Sequence, residues 1–201
     1  MTRPTTLYFV RHGESEGNAR GVFTGRIDSP LTARGREQAA TVARHLKPIH
    51  FDRIISSALS RTKDTAADIA KERGLAVEPI ADLNEIDVGD ASGKPFDELR
   101  GLPGVSDDGF RQWPGGESLE QVHSRALRAI DRIVAESPGR TIGIVGHGGV
   151  TRILVSGFMG VLPKLIRLPA TNTNITIVTH DVEQGYVVQE MFNDSHVAEQ
   201  P

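Results

Sequence analysis

The most informative part of the sequence is the stretch Leu7-Tyr8-Phe9-Val10-Arg11-His12-Gly13, in which four apolar residues end at an arginine, a histidine and a glycine. A short apolar run that stops in this way is typical of a buried strand leading into a turn. A similar pattern occurs at residues 52–56, which precede Ser57, and at residues 141–146, which precede His147. We therefore expect three buried strands, each followed by polar side chains.

Helical periodicity separates these strands along the chain. Thr32 stands at the cap position of a first helix, a second helix follows Ser57, and Ser118 with Gln121 forms a capping-box pair that opens a longer one. A further helix follows His147. Additional strands are expected at residues 76–80, 174–179 and 186–192. This alternation predicts an α/β fold: a single domain over residues 1–201, with a mostly parallel central β-sheet, helices on both faces and a small lid from residues about 86–116.

The composition is that of an ordinary globular protein. Of its 201 residues 38% are apolar and 24% are charged, and 23 basic against 26 acidic side chains leave a net charge of −3. The absence of cysteine excludes disulfides and thiolate metal sites, so a nucleophile must be another residue type. No apolar run suits a transmembrane helix or a signal peptide, which predicts a cytoplasmic protein without membrane contact. The balanced charge argues against a dedicated nucleic-acid binder.

The strand ends predict one shared site. In a parallel sheet the carboxyl ends of the strands line the crevice in which ligands bind, so Arg11, His12, Ser57 and His147 are expected at one rim. Arg61 lies in the first turn of the helix after Ser57 and can face the same rim. Arginine forks and helix N-termini match the oxygens of a phosphate dianion. With no cysteine and no G-x-S-x-G elbow, neutral His12 is the best-placed nucleophile, because the neighbouring arginines favour its uncharged form.

Simpler interpretations of the same residues are open at this point. A single histidine at a strand end is more often a packed or surface residue than a catalyst, and Glu85 can equally be a solvated loop carboxylate. The remaining histidines lack metal-ligand spacing and are expected to be packed or exposed: His45, His50, His123, His180 and His196. The apolar residues of the expected lid can form a cavity wall or simply hold the loop to the core: Phe96, Leu99, Phe110 and Trp113.

Six motifs in order resemble the histidine phosphatase superfamily, the phosphoglycerate mutase-like enzymes, over nearly the whole chain. The strongest is FVRHGESEGN at residues 9–18, which is similar to the RHG signature of the family. The others are Thr24-Gly25 with residues 31–39, residues 56–66, residues 83–85 with Gly89, residues 114–118 and residues 146–149. The resemblance implies a phosphoglycerate mutase-like fold over the chain.

The resemblance also implies a role for each matching residue. His12 would attack phosphorus and carry the phosphoryl group, and Glu85 would act first as general acid and then as general base. The phosphoryl oxygens would be bound by Arg11, Arg61 and His147, with Asn18 assisting. The further substrate-binding candidates are Ser15, Thr24, Gly25 and Gly148. No metal ion and no cofactor are implied, because two arginines and an imidazole can supply the charge stabilisation.

The sequence departs from the family at two positions, and these departures and the chain length bear on the substrate and on the choice between hydrolysis and a mutase reaction. Many members have an aromatic residue where this chain has Gly17 and another where it has Ala91, both near the expected substrate entrance. Glycolytic phosphoglycerate mutases are longer and carry an extra basic, proline-rich segment before the second histidine. Here that interval holds Lys94, Arg100 and Arg111, without paired arginines followed by prolines. A shorter lid favours hydrolysis over retention of the phosphohistidine.

We therefore predict a metal-independent phosphatase, a phosphoric monoester hydrolase of the histidine acid phosphatase type, that acts on a small phosphorylated metabolite. The alternatives are a phosphoglycerate mutase-type isomerase, a phosphohistidine-protein phosphatase and a non-catalytic phospho-ligand-binding module. The binding module is disfavoured because every expected catalytic position is filled. The composition fits a monomer and a homodimer equally.

Overall fold

The computed structural model describes residues 3–99, 105–106, 109–110, 112–166 and 170–197. Its strands are β1 (Thr5–Arg11), β2 (Arg53–Ser56), β3 (Val77–Pro79), β4 (Val105–Ser106), β5 (Gly109–Phe110), β6 (Thr141–Gly146), β7 (Ile175–Asp181) and β8 (Gly185–Asn193). Six of them form one sheet in the order β3-β2-β6-β1-β7-β8, and β4 pairs with β5. β3, β2, β6 and β1 run parallel, whereas β7 and β8 are antiparallel at one edge. The predicted mostly parallel sheet is confirmed.

The register of the parallel strands aligns their carboxyl ends. Arg11 lies opposite Gly146, and Ser56 lies opposite Val145, so β1, β2 and β6 end at the same edge of the sheet. Residues 12 and 57 extend the pairing beyond the strands, because their N–H groups donate to the carbonyls of Gly146 (3.1 Å) and Val145 (3.0 Å). The residues that follow the three strands are therefore brought to one rim.

Helices cover both faces of the sheet, as predicted. They are α1 (Glu16–Ala19), α2 (Ala33–His45), α3 (Ser60–Lys71), α4 (Leu119–Glu136) and α5 (Gly148–Phe158). Leu7 and Phe9 point to one face, where they pack in a cluster with apolar residues of α4 and α5. Val10 points to the other face and packs with residues of α2 and α3. Among the described residues, none of the helices has the length and apolar character that crossing a bilayer requires.

The helix caps confirm the sequence signals, whereas the long loops hold more structure than expected. Thr32 Oγ1 accepts the N–H of Gly35 at 2.9 Å, and Ser118 with Gln121 forms the predicted capping box. The loop of residues 13–30 contains α1, whose four residues are too few to show a helical period. The stretch predicted to be irregular, 82–113, begins inside the 3-10 turn Ala81–Leu83 and adds the 3-10 turns Gly89–Ala91 and Asp97–Leu99 and the β4–β5 pair.

Candidate active site

Two strand ends, the first turn of one helix and one loop bring the predicted residues together. His12 follows β1 and His147 follows β6, and their rings lie edge to face with centroids 5.3 Å apart. Glu85, from the loop after β3, places its Oε2 4.0 Å from His147 Nδ1. Arg11 ends β1 and Arg61 lies in the first turn of α3, and the positive charge of both acts on His12. The five candidate catalytic residues thus form one cluster.

The ring of His12 is held in a single orientation. It is 3% exposed, and its Nδ1 lies 2.6 Å from the carbonyl oxygen of Gly13. A carbonyl can only accept, so Nδ1 carries the proton and Nε2 keeps a lone pair. Burial, followed by the charges of Arg11 and Arg61, holds the pKa of His12 well below its usual value. At neutral pH His12 is therefore an uncharged imidazole whose Nε2 carries no proton.

Both arginines are fixed by backbone carbonyls, and each retains one buried donor. Arg61, which is 1% exposed, donates from Nη1 to Ile27 O (3.1 Å) and from Nη2 to Gly25 O (2.9 Å). Arg11 donates from Nη1 to the carbonyl of Ala170. The Nε atom of each is buried and has no hydrogen-bond partner within the described residues. An unsatisfied buried donor costs on the order of 1–3 kcal/mol, so this pair of fixed cations points to an anion site.

His147 is fully buried behind the two cations. Its Nε2 lies 2.8 Å from the hydroxyl of Ser57, the residue that follows β2. Its Nδ1 is buried without a hydrogen-bond partner among the described residues, since the 4.0 Å to Glu85 Oε2 is too long for one. Burial lowers the pKa of His147 well below its usual value, and His12 and Arg61 lower it further.

Asn18 is oriented by two donors to its side-chain oxygen. Its Oδ1 accepts the N–H of Ser15 at 3.2 Å and the Nδ2 of Asn172 at 3.3 Å. Its amide Nδ2 remains available as a donor, and Asn18 is one of the residues that line a neighbouring cavity. Ser15 itself is buried as the N-cap of α1 and does not line that cavity. Asn172 was not predicted, because it lies in a loop without any sequence pattern.

The segment that carries Glu85 is clamped by a buried arginine. Arg125 Nη1 donates to the carbonyls of Asp82 (2.7 Å) and Asn84 (2.8 Å), and its Nη2 donates to the carbonyl of Glu85 (3.1 Å). Glu117 holds Arg125 in turn through contacts of 2.7 and 2.9 Å. Arg125 was not among the predicted residues, although an arginine within the apolar stripe of α4 signals a buried partner.

A cavity of about 320 Å³ is lined by Arg11 and Glu85 of this cluster, whereas His12, Arg61 and His147 are not part of its lining. Its polar lining includes Arg11, Asn18, Glu85 and Arg152, together with the predicted Thr24 and Gly25. The rest of the lining is mostly apolar, and comes from Val22, Phe23, Ile86, Val88, Phe96, Trp113, Ile153 and Leu165. A mostly apolar cavity of this size with a few polar groups suits a small organic ligand.

The model of the histidine phosphatase superfamily (branch 1) matches residues 7–194, which include all three strand ends of this site. The chain belongs to the histidine phosphatase superfamily. The predicted family is thereby confirmed.

Relatives of this chain include proteins named as mutases and as phosphatases. A Salmonella choleraesuis protein named probable phosphoglycerate mutase GpmB is 34% identical over 205 residues, which cover 95% of this chain and 94% of that protein. The structure of Bacillus stearothermophilus YhfR is similar with a TM-score of 0.84 and 30% identity, covering 96% of this chain and 99% of that one. A phosphoserine phosphatase variant from Entamoeba histolytica, solved with phosphoserine, has a TM-score of 0.85 and 28% identity, covering 96% and 99%.

The two positions at which this chain lacks the aromatic residues of many family members lie behind the cavity lining. A Cβ atom at Gly17 would stand 2.1 Å from Thr24 Cγ2, so even alanine would displace a residue of the lining. Ala91 is buried against Val88 and Trp113. Neither Gly17 nor Ala91 lines the cavity. Both residues pack directly against residues of the lining, and their position near the substrate entrance stays a prediction.

The predicted lid is described only in part. Phe96 and Trp113 line the cavity, and Phe23 contacts both of their rings, with centroids 4.5 and 5.3 Å away. Trp113 is also buried in a cluster with neighbouring apolar residues, so it both forms part of the cavity wall and anchors the predicted lid to the protein. Leu99 and Phe110 belong to a 3-10 turn and to β5, and their side chains lie outside the described part. Residues 100–104, 107–108 and 111, with Arg100 and Arg111 among them, lie outside the described residues.

Two glycines at the start of α5 leave space for the side chains of Arg11 and Glu85. A Cβ at Gly149 would stand 2.8 Å from Glu85 Oε1, so a side chain there would displace the carboxylate. A Cβ at Gly148 would stand 3.4 Å from Arg11 Cδ and 3.1 Å from Ala170 Cβ. Gly148, which was predicted to bind substrate, is buried, and a side chain at this position would crowd Arg11 and Ala170.

The other histidines take no part in this cluster. His45 and His196 stack with centroids 4.9 Å apart, His180 lies 4.6 Å from Tyr186, and His50 is exposed. His123 packs against Gly157, where an added Cβ would stand 2.3 Å from its Nε2. Within the ranges that the structure describes, no group of three or more His, Asp or Glu residues could hold a metal ion.

The stability of the ligand-free protein is expected to fall as the pH drops below about 6.5. The folded pKa values of His12 and His147 are held well below that of an unfolded histidine, so the unfolded chain binds more protons in this range. Each histidine should lower the free energy of unfolding by up to about 1.4 kcal/mol per pH unit. Denaturant titrations without phosphate measure this slope. His12→Asn should reduce it, and equal slopes in this variant and the unaltered protein would contradict the prediction.

Proposed function

We propose that this protein hydrolyses small phosphomonoesters through a phosphohistidine intermediate on His12. The observation that carries the proposal is the His12 ring, which is buried, uncharged and hydrogen-bonded so that Nε2 keeps its lone pair. Nε2 forms a bond to phosphorus while the bond from phosphorus to the alcohol oxygen breaks. Water then attacks the phosphorus, the nitrogen–phosphorus bond breaks, and inorganic phosphate leaves.

The charge of the transferring phosphoryl group is proposed to be stabilised by Arg11, Arg61, His147 and Asn18. The buried Nε donors of the two arginines support this role, because they are fixed in place before the ligand arrives. Preorganised donors in a site shielded from water are worth more than the same donors in solvent. Two guanidinium groups also supply the positive charge that metal ions supply in other phosphoryl-transfer sites, so we propose that no added metal is needed.

Glu85 is proposed to move the proton of each step. Protonated Glu85 would donate to the alcohol oxygen as it leaves, and the resulting carboxylate would take a proton from the attacking water, which restores the starting state. Its position between the cavity and His147 supports this role, as does the clamp of Arg125 on its backbone. A carboxyl group that must reach two different oxygens benefits from a backbone that is held still.

The alcohol part of the substrate is proposed to occupy the cavity of about 320 Å³, against its aromatic lining. Arg152 adds a cation to that lining, close enough to Glu85 for the two charges to interact. The relatives named for phosphoglycerate and solved with phosphoserine have substrates of matching size that carry a carboxylate. A small phosphorylated metabolite, with or without a further anionic group, is the substrate class that fits.

A phosphoglycerate mutase activity is the second candidate, because the 34% identical relative carries that name. In a mutase the phosphohistidine passes its phosphoryl group to a second hydroxyl instead of to water. The same five residues would serve that reaction, and the fate of the intermediate would depend on how long water is excluded. The segment between Glu85 and His147 decides this exclusion, and part of it lies outside the described residues.

Incubation with 3-phosphoglycerate separates the two candidates. We expect at least about tenfold more inorganic phosphate than 2-phosphoglycerate at early times, which corresponds to a barrier difference of about 1.4 kcal/mol. Phosphate release from an aryl phosphate should be unchanged by a chelator. Efficient formation of 2-phosphoglycerate would favour the mutase, and loss of turnover with the chelator would contradict the metal-free mechanism.

A further inference from the structure

His147 belongs to a chain of hydroxyl groups that sets which of its nitrogens carries a proton. Its Nε2 lies 2.8 Å from Ser57 Oγ, which lies 2.7 Å from Thr62 Oγ1. Thr62 Oγ1 in turn lies 2.8 Å from the carbonyl of Leu59 and 3.1 Å from the carbonyl of Ser57. Ser57, Thr62 and His147 are all buried, so water does not compete for these contacts.

The direction of each hydrogen bond follows from the end of the chain. Carbonyl oxygens only accept, so the single hydroxyl proton of Thr62 is donated to the backbone. Thr62 Oγ1 must then accept the hydroxyl proton of Ser57. With its proton used in this way, Ser57 Oγ accepts from the Leu59 N–H (3.3 Å) and from Nε2 of His147. Nε2 of His147 is therefore protonated.

This assignment leaves the nitrogen that faces the site without a proton. A neutral imidazole carries one N–H, so Nδ1 of neutral His147 holds a lone pair. Nδ1 is buried on the side of Glu85, 4.0 Å from its Oε2, and has no hydrogen-bond partner among the described residues. A lone pair repels an anion, so Nδ1 can bind a phosphoryl oxygen only after it takes up a second proton.

We propose that Ser57 and Thr62 are positioning residues that make anion binding at this site depend on the uptake of one proton by Nδ1 of His147. The inference rests on the proposed phosphoryl site and adds a step to it. The titratable and charged groups that act on His147 come from several elements. They are His12 and Arg11 at the end of β1, Arg61 of α3, Glu85 of the loop and Arg125 of α4.

These neighbours explain why the proton arrives with the ligand. Burial and the three arginines disfavour a cationic imidazole in the free site, which keeps the pKa of His147 low. A bound dianion offsets those positive charges and offers Nδ1 an acceptor, so the second proton becomes favourable. The proton can come from solvent or from the monoanion of a phosphomonoester, which carries its own.

Sulfate is the probe that isolates this coupling, because it stays a dianion throughout the pH range and cannot be turned over. The binding constant is measured by calorimetry between about pH 6 and about pH 8, where a histidine with an ordinary pKa loses its proton. The background is the His12→Asn, Glu85→Gln protein, which removes the two other titrating side chains that adjoin the anion. Sulfate affinity should fall by about tenfold per pH unit, which corresponds to one proton taken up on binding.

Two further variants in that background test the hydroxyl chain. Thr62→Val leaves the hydroxyl of Ser57 free to donate to Nε2 of His147. Neutral His147 can then carry its proton on Nδ1 and bind sulfate without taking up a second proton. Ser57→Ala removes the acceptor of Nε2 and should act in the same way. In both, the affinity should change by less than about twofold per pH unit. Thr62→Ser keeps the hydroxyl and should retain the full pH dependence.

A pH dependence that survives in both Thr62→Val and Ser57→Ala would overturn the inference, as would sulfate binding without proton uptake in the background protein. Those results would leave the proposed phosphatase reaction intact, because turnover is measured separately on the unaltered protein. Failure of sulfate to bind at all would contradict the anion site itself, and with it this inference.

Discussion

Replacement of His12 by Asn is expected to reduce the turnover of an aryl phosphate by about four to six orders of magnitude, as for other residues that make the covalent bond. Asn offers a side-chain N–H close to the position of Nδ1, so the hydrogen bond to the carbonyl of Gly13 can be kept. It has no nitrogen lone pair with which to attack phosphorus. The loss should therefore appear in the rate of the chemical step, as measured by phosphate release in single-turnover experiments.

The covalent intermediate gives a second readout of the same variant. Acid-labile, base-stable phosphate is expected on protein denatured in base during turnover, and should be absent from His12→Asn. His50→Asn is the matched control, because His50 is exposed and lies outside the site. If His12→Asn released phosphate at the rate of the unaltered protein, or became labelled to the same extent, His12 would not be the nucleophile.

Replacement of Glu85 by Gln should slow steady-state turnover by about 10²–10⁴-fold, with an effect that depends on the leaving group. An alkyl phosphate needs a proton on its departing oxygen, so transfer to His12 should slow by the full factor. A nitrophenolate leaves without a proton, so that first transfer should remain fast. Hydrolysis of the phosphohistidine still lacks a base. Nitrophenolate should therefore appear in a burst equal to the enzyme concentration, and its further release should be slow.

The burst separates an acid/base role from a general loss of structure. Glu183→Gln is the matched control, because Glu183 is exposed at the turn between β7 and β8. It should show no burst and ordinary turnover. Equal slowing of the aryl and alkyl substrates by Glu85→Gln, with no burst, would contradict the proposed role of Glu85.

Most of the fold could be predicted because its signals are local. The apolar runs that end at His12, Ser57 and His147 each form a buried strand, and Thr32 and Ser118 cap the helices that they were predicted to cap. Helix α1 was missed because its four residues show no period. The boundaries of a single domain over residues 1–201, the cytoplasmic location and the absence of a nucleic-acid partner stay predictions.

The site was predictable where its residues sit at strand ends and unpredictable where they reach it from elsewhere. Arg11, His12 and His147 follow from the edge at which parallel strands end. Glu85 came from the family resemblance alone, because a loop carboxylate has no period of its own. Arg125 lies 40 residues from Glu85 in sequence, and only the packing of α4 against that loop brings the two together.

The order of apolar and polar residues along the chain was enough to place two histidines and two arginines at one rim, because strand periodicity and parallel pairing act through short-range rules. It could not assign the protons of those histidines. His12 owes its neutral Nε2 to the carbonyl of the next residue and to burial, and His147 owes its protonated Nε2 to a hydroxyl 90 positions away. The tautomer of a histidine depends on its hydrogen-bond partners, and these partners come together only in the folded protein.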